Sequence, residues 1–207
     1  MVRRATLAVL ALAATCALAQ EAPRIALGGG YSVAAPAGEG WIADGKGAQR
    51  SFRRVLGPDS HTLVMLTAAG PSGITREQVE AIANADKNEA ANLLIRTLGA
   101  FTRAAWKMNA AGVEAARYTV LSKDETVDSK FSGGLICSAT RIRARDRGPD
   151  GYAGEPLILR YVGYTCVDVG RLMESVHVSY SERGLEADLS PAALEAGEAF
   201  ARSLRVE

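Results

Sequence analysis

Residues 157–183 have the sequence LILRYVGYTCVDVGRLMESVHVSYSER, and the other predicted elements are arranged around them. Apolar and polar side chains alternate over residues 172–183, which is typical of a β-strand with one buried face. Residues 157–169 carry apolar side chains on both faces, as a strand inside a sheet does. Gly170 lies between the two segments, where a tight hairpin needs a residue that tolerates positive φ. The stretch therefore predicts two long antiparallel strands, which need other strands or a helix to cover them.

Further strands are predicted on both sides of this ribbon. A short extended segment is expected over residues 25–34. Alternating segments separated by turn residues predict two more hairpins, at residues 49–56 with 61–69 and at residues 101–108 with 113–121. Residues 131–145 form another long strand, and the charged residues 122–129 and the turn-rich residues 146–156 are predicted to be loops.

Two helices complete the pattern. Thr75 and Gln78 have the spacing of a capping box, and apolar residues then recur at helical intervals as far as Gly99. Ser190 followed by Pro191 predicts the start of a second amphipathic helix. The sequence therefore predicts an α+β fold, in which an antiparallel β-sheet is flanked by two main helices.

Residues 1–19 have the composition of a secretory signal peptide. Arg3 and Arg4 precede an apolar run, and residues 17–19 give the small-x-small pattern of a cleavage site. The run is too short for a permanent membrane span, and no later stretch approaches the roughly 18 apolar residues that a transmembrane helix needs. We expect a periplasmic or secreted protein, with a flexible segment over residues 20–30 and one domain over residues 31–207.

Two variants of this export signal remain open. Arg3 and Arg4 allow a twin-arginine signal, although the residues after them match that pattern poorly. Cys16 follows a segment that loosely resembles a lipoprotein processing site, and an acyl chain on Cys16 would anchor the protein to a membrane.

The charge balance argues against a nucleic-acid partner. The chain has 24 basic and 23 acidic side chains. Removal of residues 1–19 takes away two of the arginines, so the remaining chain has no excess of positive charge for binding a polyanion.

Cys137 and Cys166 lie in two segments that are predicted to be strands. An exported chain reaches a compartment where disulfides form, so the two cysteines are a candidate disulfide pair. Two separate buried thiols are the alternative, because sequence alone does not give the distance between their α-carbons.

The order of these segments resembles a known family. A strand that begins YSVAAP at Tyr31, a tryptophan at Trp41, the segments GVEAARYTV and VHVSYSERG, and a final helix ending in SLRV together resemble the PsbP/Mog-type α/β fold, including the DcrB-like bacterial envelope proteins. The resemblance covers roughly residues 30–207. It implies an antiparallel sheet flanked by helices. Members of the family act as extrinsic photosystem subunits, Ran-binding factors or envelope accessory proteins, and the fold does not choose among these roles. It carries over no catalytic residue.

Chemical motifs point to few candidates. The chain contains no GxSxG, P-loop, GxGxxG after a strand or HExxH pattern, so we predict no catalytic residue, metal site or cofactor. His61 and His177 have no second ligand at a characteristic spacing, and we interpret them as ordinary surface or turn residues, with His177 on the outward face of its strand.

One polar pattern stands out in the strand over residues 131–145. Arg141, Arg143 and Arg145 alternate with small or apolar residues, so strand geometry puts all three on one face. Their guanidinium groups suit an acidic partner, and Tyr152 in the adjoining loop could add an aromatic contact. The alternative is a solvated row that is neutralised by acids of neighbouring strands, such as Asp168 or Glu174.

These observations predict an exported, non-catalytic binding or accessory protein of the bacterial envelope, which contacts a partner protein through the exposed face of its sheet. The alternative hypothesis is a carrier of a small apolar ligand, or an enzyme with an unrecognised site, in a cavity between the sheet and the helix that begins at Thr75.

Overall fold

The computed structural model describes residues 23–57, 61–114, 117–147 and 153–207 of the chain. These residues contain three helices, namely α1 (Arg76–Asn84), α2 (Lys87–Glu114) and α3 (Pro191–Arg202). They also contain ten strands, namely β1 (Arg24–Gly28), β2 (Tyr31–Ala34), β3 (Ile42–Asp44), β4 (Gln49–Val55), β5 (Thr62–Pro71), β6 (Tyr118–Asp128), β7 (Ile136–Asp146), β8 (Leu157–Val167), β9 (Glu174–Gly184) and β10 (Arg205–Val206). The predicted α+β class is confirmed.

The strands form two antiparallel sheets. The large sheet has the order β3-β4-β5-β9-β8-β7-β6, and the small one has the order β1-β2-β10. Strands β8 and β9 pair from Ile158 with Gly184 to Cys166 with Val176 inside the large sheet, as the ribbon predicts. Strand β1 lies within residues 20–30, the segment predicted to be flexible, and pairs with β2.

The connection between β8 and β9 differs from the predicted tight turn. It contains a turn of 3₁₀-helix at residues 169–171, and the Asp168 carboxylate accepts a hydrogen bond of 3.0 Å from the backbone N–H of Gly170. Gly170 is not among the glycines with positive φ. The prediction of a tight hairpin with positive φ at Gly170 was wrong, because the connection is longer and an Asp side chain stabilises it.

The two faces of the large sheet are covered by different elements, so we name them after their helices. On the α3 face, residues of α3 and of the small sheet pack on the sheet and form the largest apolar core. On the α2 face, α1 and α2 pack over two smaller apolar clusters. In β7, Ile142 and Ala144 are buried towards the α2 face, while Arg141, Arg143 and Arg145 point to the α3 face.

The helical region was predicted incompletely. The capping box is present: the backbone N–H of Thr75 donates to the Gln78 side chain at 2.8 Å, and the N–H of Gln78 donates to the Thr75 hydroxyl at 3.3 Å. However, α1 ends at Asn84, and Asp86 begins a second helix by accepting hydrogen bonds of 2.9 and 3.0 Å from the N–H groups of Asn88 and Glu89. Three helices therefore occur in the described residues where two main helices were predicted.

Helix α2 continues through Gly99, so the hairpin predicted at residues 101–121 was wrong. Its buried residues recur at the helical interval of four, namely Thr97, Phe101, Ala105, Asn109 and Val113. A glycine inside a helix costs only about 1 kcal/mol relative to alanine, and packing of this stripe on the sheet outweighs that cost. Within the segment 113–121, which was predicted as one strand, residues 113 and 114 end α2 and residues 118–121 begin β6.

The charged residues 122–129, predicted to be a loop, mostly belong to strand β6. This strand forms one edge of the large sheet and pairs with β7, with a register irregularity between Val120 and Ser122 that leaves Leu121 as a bulge. The prediction failed because an edge strand tolerates charged side chains on both of its faces, so it lacks the apolar alternation of a buried strand.

Cys137 and Cys166 lie directly opposite each other in β7 and β8. Both are fully buried, and their sulfur atoms are joined in a disulfide that links residues 29 positions apart in the chain. Of the two alternatives, pairing rather than separate thiols agrees with this geometry.

Two glycines in helices should respond in opposite ways to substitution by alanine. A Cβ atom at Gly197 in α3 would overlap the ring of Tyr180, whereas one at Gly99 in α2 would meet only the end of the Arg103 side chain at 3.4 Å. We expect Gly197→Ala to lower the free energy of unfolding by about 2 kcal/mol through overpacking. Gly99→Ala should raise it by about 1 kcal/mol through helix propensity. Urea denaturation of both variants measures this, and equal effects at the two sites would contradict the close packing of α3 on β9.

Candidate functional site: a groove beside the arginine row

The arginine row of β7 lies on the exposed part of the α3 face. Arg141, Arg143 and Arg145 are exposed, whereas the residues between them are buried. The side chains of Arg141 and Arg143 are 44% and 43% exposed. The alternation inferred from the sequence thus puts the three guanidinium groups on one side of the sheet.

Each of the first two arginines has an acidic neighbour. The Arg141 Nη1 atom lies 3.8 Å from the Asp124 carboxylate on β6, and Arg143 forms an ion pair with Glu186, which follows β9. The neutralising acids are therefore not Asp168 and Glu174, which were the predicted ones. Asp168 instead pairs with Arg171 at 3.4 Å. Exposed pairs of this kind contribute about 1 kcal/mol or less, so an incoming carboxylate can replace the acidic neighbour at little cost.

Two adjoining cavities run along this row, between the sheet and the start of α3. Their volumes are about 260 and 340 Å³, and they share Arg141, Val162 and Leu194 in their linings. We call the combined depression the arginine groove. Its floor consists mainly of the apolar side chains of Val162 and Leu194 and the ring of Tyr180, and its rim carries the charged residues Asp124, Arg141, Arg143, Arg160, Glu195 and Glu198.

Hydrogen bonds below the floor fix the position of Arg141. The hydroxyl of Tyr164 donates to the Glu198 carboxylate at 2.6 Å, and Arg141 Nη2 donates to the same hydroxyl at 3.4 Å. Burial and the neighbouring Glu198 carboxylate raise the pKa of Tyr164, and burial raises the pKa of Tyr180. Both phenols therefore stay neutral at physiological pH, and the charge of the groove comes from its arginine and acidic side chains.

Arg160 connects the rim of the groove to a buried ionic cluster. Its guanidinium forms an ion pair with Glu182 and donates a hydrogen bond of 2.7 Å to the backbone carbonyl of Ser190. Glu182 is only 2% exposed and also accepts a hydrogen bond of 3.1 Å from the N–H of Ser190, while its Oε1 atom lies 2.9 Å from His61 Nε2. The cluster ties β5, β8 and β9 to the beginning of α3, which forms one wall of the groove.

Sequence reasoning missed much of this site. Leu194 was assigned to the apolar stripe of the C-terminal helix, yet it is 38% exposed and lies in the groove. Glu198 comes from the same helix, and the helical period could have put it one turn after Leu194. Arg145 is not among the residues that line the groove, because it lies further along β7. Tyr152 and Cys16 lie outside the described residues, as do residues 1–22.

Both histidines differ from their interpretation as ordinary surface residues. His61 is 9% exposed and contacts Glu182. His177 lies on the α2 face, where its Nδ1 atom is 3.1 Å from the Thr165 hydroxyl and its Nε2 atom is 3.4 Å from the Tyr161 hydroxyl. It belongs to a polar band in which the Asn109 amide of α2 donates to Thr140 at 3.2 Å. The outward orientation predicted for His177 was wrong, because α2 covers that face.

His177 should make the stability of the protein depend on pH. Burial lowers its pKa from the ordinary 6.5 to about 4. The unfolded chain therefore binds the proton more readily than the folded chain, and stability is lost as the pH falls from about 6.5 towards 4. We expect a loss of about 2 kcal/mol in the free energy of unfolding between pH 7 and pH 5 from this group.

Urea denaturation at pH 7, 6 and 5 measures the effect. The variant His177→Gln keeps hydrogen-bonding groups but does not titrate, so its stability should fall less over this range. Parallel pH profiles of the two proteins would show that His177 is not protonated on unfolding.

The described residues contain neither a metal-binding cluster nor a membrane-spanning helix. Within the described ranges, no group of three or more His, Cys, Asp or Glu side chains is arranged to hold a metal ion. None of the helices in the same ranges is long and apolar enough to cross a membrane.

Comparisons with known proteins do not assign the chain to a family. No protein-family model matches it, and no curated protein matches its sequence.

Proposed function

We propose that this chain is an exported, non-catalytic accessory protein of the bacterial envelope, which binds a partner protein through the arginine groove. We also propose that the chain has the PsbP/Mog-type fold and a DcrB-like role. The antiparallel sheet and its flanking helices support this assignment. Export is supported by residues 1–19 of the sequence and agrees with the disulfide between Cys137 and Cys166.

The observation that carries the proposal is one continuous groove with an apolar floor and a charged rim. An apolar floor between charged side chains is the usual composition of a protein-binding surface, with a dry centre and a polar rim. The floor offers Val162 and Leu194 to an apolar side chain of the partner. The guanidinium groups of Arg141 and Arg143 are exposed enough to donate bidentate hydrogen bonds to carboxylates of the partner. The partner segment expected here carries an apolar anchor flanked by Asp or Glu residues.

The carrier hypothesis has less support. Helices α1 and α2 pack on the sheet around a cluster that contains Ile74, Phe101, Val167 and Leu172, and a hydrogen-bonded polar band lies beside this cluster. A small apolar ligand prefers a cavity lined mainly by apolar groups. The apolar floor lies instead in the arginine groove, on the opposite face of the sheet from α1 and α2. We therefore favour a protein that binds a partner in this groove over a carrier with a cavity beneath the helices.

Site-specific cross-linking in living cells tests the groove directly. A photo-cross-linking amino acid replaces Leu194, which is 38% exposed on the floor, and in a second strain it replaces Ile95, which is 69% exposed on α2. We expect a defined cross-linked partner from position 194 but not from position 95. Identical products at both positions would show that the groove has no special role.

Charge reversal identifies the contribution of the arginine row. In the position-194 strain, Arg141→Glu, Arg143→Glu and Arg145→Glu together should reduce the yield of the cross-linked partner at least tenfold, because the attractive charges of the arginine row become repulsive. The matched control is Arg53→Glu, Arg76→Glu and Arg96→Glu, which makes the same change in net charge at exposed positions elsewhere. An equal loss in both triple variants would mean that net charge, not the arginine row, governs binding.

A further inference from the structure

Strand β6 leaves a long edge of the large sheet open. It has eleven residues and is the last strand of the sheet, so one row of its backbone N–H and C=O groups has no neighbouring strand among the described residues. Two large apolar side chains of this strand, Leu121 and Val127, are 42% and 51% exposed. An open edge with exposed apolar residues is a template for pairing with another strand.

We propose that two copies of this chain associate by antiparallel pairing of their β6 strands, around a two-fold axis that passes beside Asp124. Such an axis, perpendicular to the sheet, joins the two large sheets into one and keeps both α2 faces on the same side. This interaction goes beyond the proposed binding of a partner in the arginine groove and does not depend on it.

The charge pattern of β6 selects this register. With the axis at Asp124, Lys123 of one copy lies opposite Glu125 of the second copy, and the two-fold symmetry produces this pair twice. Both side chains lie on the α2 face, since their partners on β7 are Ile142 and Thr140. Other registers lack this pair. When the axis lies at residue 122, 125 or 126, no acidic residue of β6 lies opposite Lys123. When it lies at residue 123, the two copies of Lys123 face each other and repel.

The apolar residues agree with the same register. Leu121 of one copy lies opposite Val127 of the second copy, so the two exposed apolar side chains of each strand become cross-strand neighbours. Leu121 is also the bulged residue, where the regular register of β6 ends. The pairing therefore extends over residues 121–127, or seven residues of each chain.

The axis itself brings two like charges together. Asp124 of each copy faces its symmetry mate, but Arg141 Nη1 lies 3.8 Å from the same carboxylate on the other side. Each copy thus provides a cation next to its own Asp124. The interface is small, so we expect a weak dimer that forms between about 1 µM and 1 mM protein.

Sedimentation equilibrium of the purified full chain tests the pairing. The wild type should show a monomer–dimer equilibrium in this concentration range. Lys123→Glu and Glu125→Lys should each raise the dissociation constant of the homodimer about tenfold or more, because both opposite-charge pairs become like-charge pairs. An equimolar mixture of the two variants should form a heterodimer at least as tight as the wild-type dimer.

The mixture separates contacts between chains from those within one chain. Lys123 Nζ lies 2.9 Å from Glu125 Oε1 of the same strand, and either substitution breaks this internal pair in a way that mixing cannot repair. In the mixture, the two acidic side chains of one variant face the two basic side chains of the other only across the dimer axis. Recovery on mixing therefore supports the proposal. A wild type that stays monomeric at 1 mM, or variants that dimerise like the wild type, would overturn it.

Discussion

Replacing Glu182 with alanine should lower the free energy of unfolding by about 4 kcal/mol. Its carboxylate is buried and contacts the Arg160 guanidinium, His61 and the N–H of Ser190. Removal of one partner from a buried ion pair leaves the other without compensation, and this usually costs about 3–5 kcal/mol. The variant should also loosen the start of α3, because the Ser190 N–H loses its acceptor. Urea denaturation at pH 7 measures the change.

Glu186 provides the matched control. It also pairs with an arginine, Arg143, but its side chain is 62% exposed. Glu186→Ala should change the stability by less than about 1 kcal/mol, because water solvates the exposed guanidinium that is left behind. Glu182→Gln should fall between the two, since an amide can still accept a hydrogen bond from Ser190. Similar losses for Glu182→Ala and Glu186→Ala would contradict the assignment of Glu182 as the buried centre of the cluster.

Loss of the disulfide should have the second largest effect. The bond between Cys137 and Cys166 closes a loop of 29 positions, so it removes conformational freedom from the unfolded chain. On the chain-entropy model a loop of this size contributes about 3.5 kcal/mol. We expect reduction by dithiothreitol to lower the free energy of unfolding by about this amount in urea denaturation.

The double variant Cys137→Ala, Cys166→Ala is the control for reductant effects on the rest of the chain. It should be less stable than the oxidised wild type and should not respond to dithiothreitol. If the wild type and the double variant unfold at the same urea concentration under oxidising conditions, the bond does not contribute to stability.

The sheet was the most predictable part of the fold. Strand β9 carries a period-two pattern and β8 carries apolar side chains on both faces, and both are local signals of a strand over eleven residues. The stretch from residue 99 to residue 114 was predicted wrongly, because Gly99 was interpreted as a helix end although the alanines after it favour a helix. Tertiary packing stabilises the helix in this stretch, because Phe101 and Ala105 are buried between α2 and the sheet.

The candidate site was predictable only where one strand forms it. Arg141, Arg143 and Arg145 are two residues apart, so strand geometry alone puts them on one face. Leu194 and Glu198 join them from a helix about fifty residues later in the chain, and no periodicity links the two segments. Likewise, the burial of His61 depends on Glu182, which is 121 residues away. Sequence patterns describe single elements well, whereas the partners of a buried polar group depend on the tertiary fold.

The polar band beneath α2 restricts the position of that helix along the sheet. A helix of 28 residues with a uniformly apolar underside could slide along the sheet, but Asn109 divides the underside of α2 between two apolar clusters. A shift by one turn, about 5.4 Å, would move Asn109 away from Thr140 and Thr165 and leave its amide against apolar side chains. The unmet hydrogen bonds would cost about 1–3 kcal/mol. The band therefore holds α2 in a single register on the sheet.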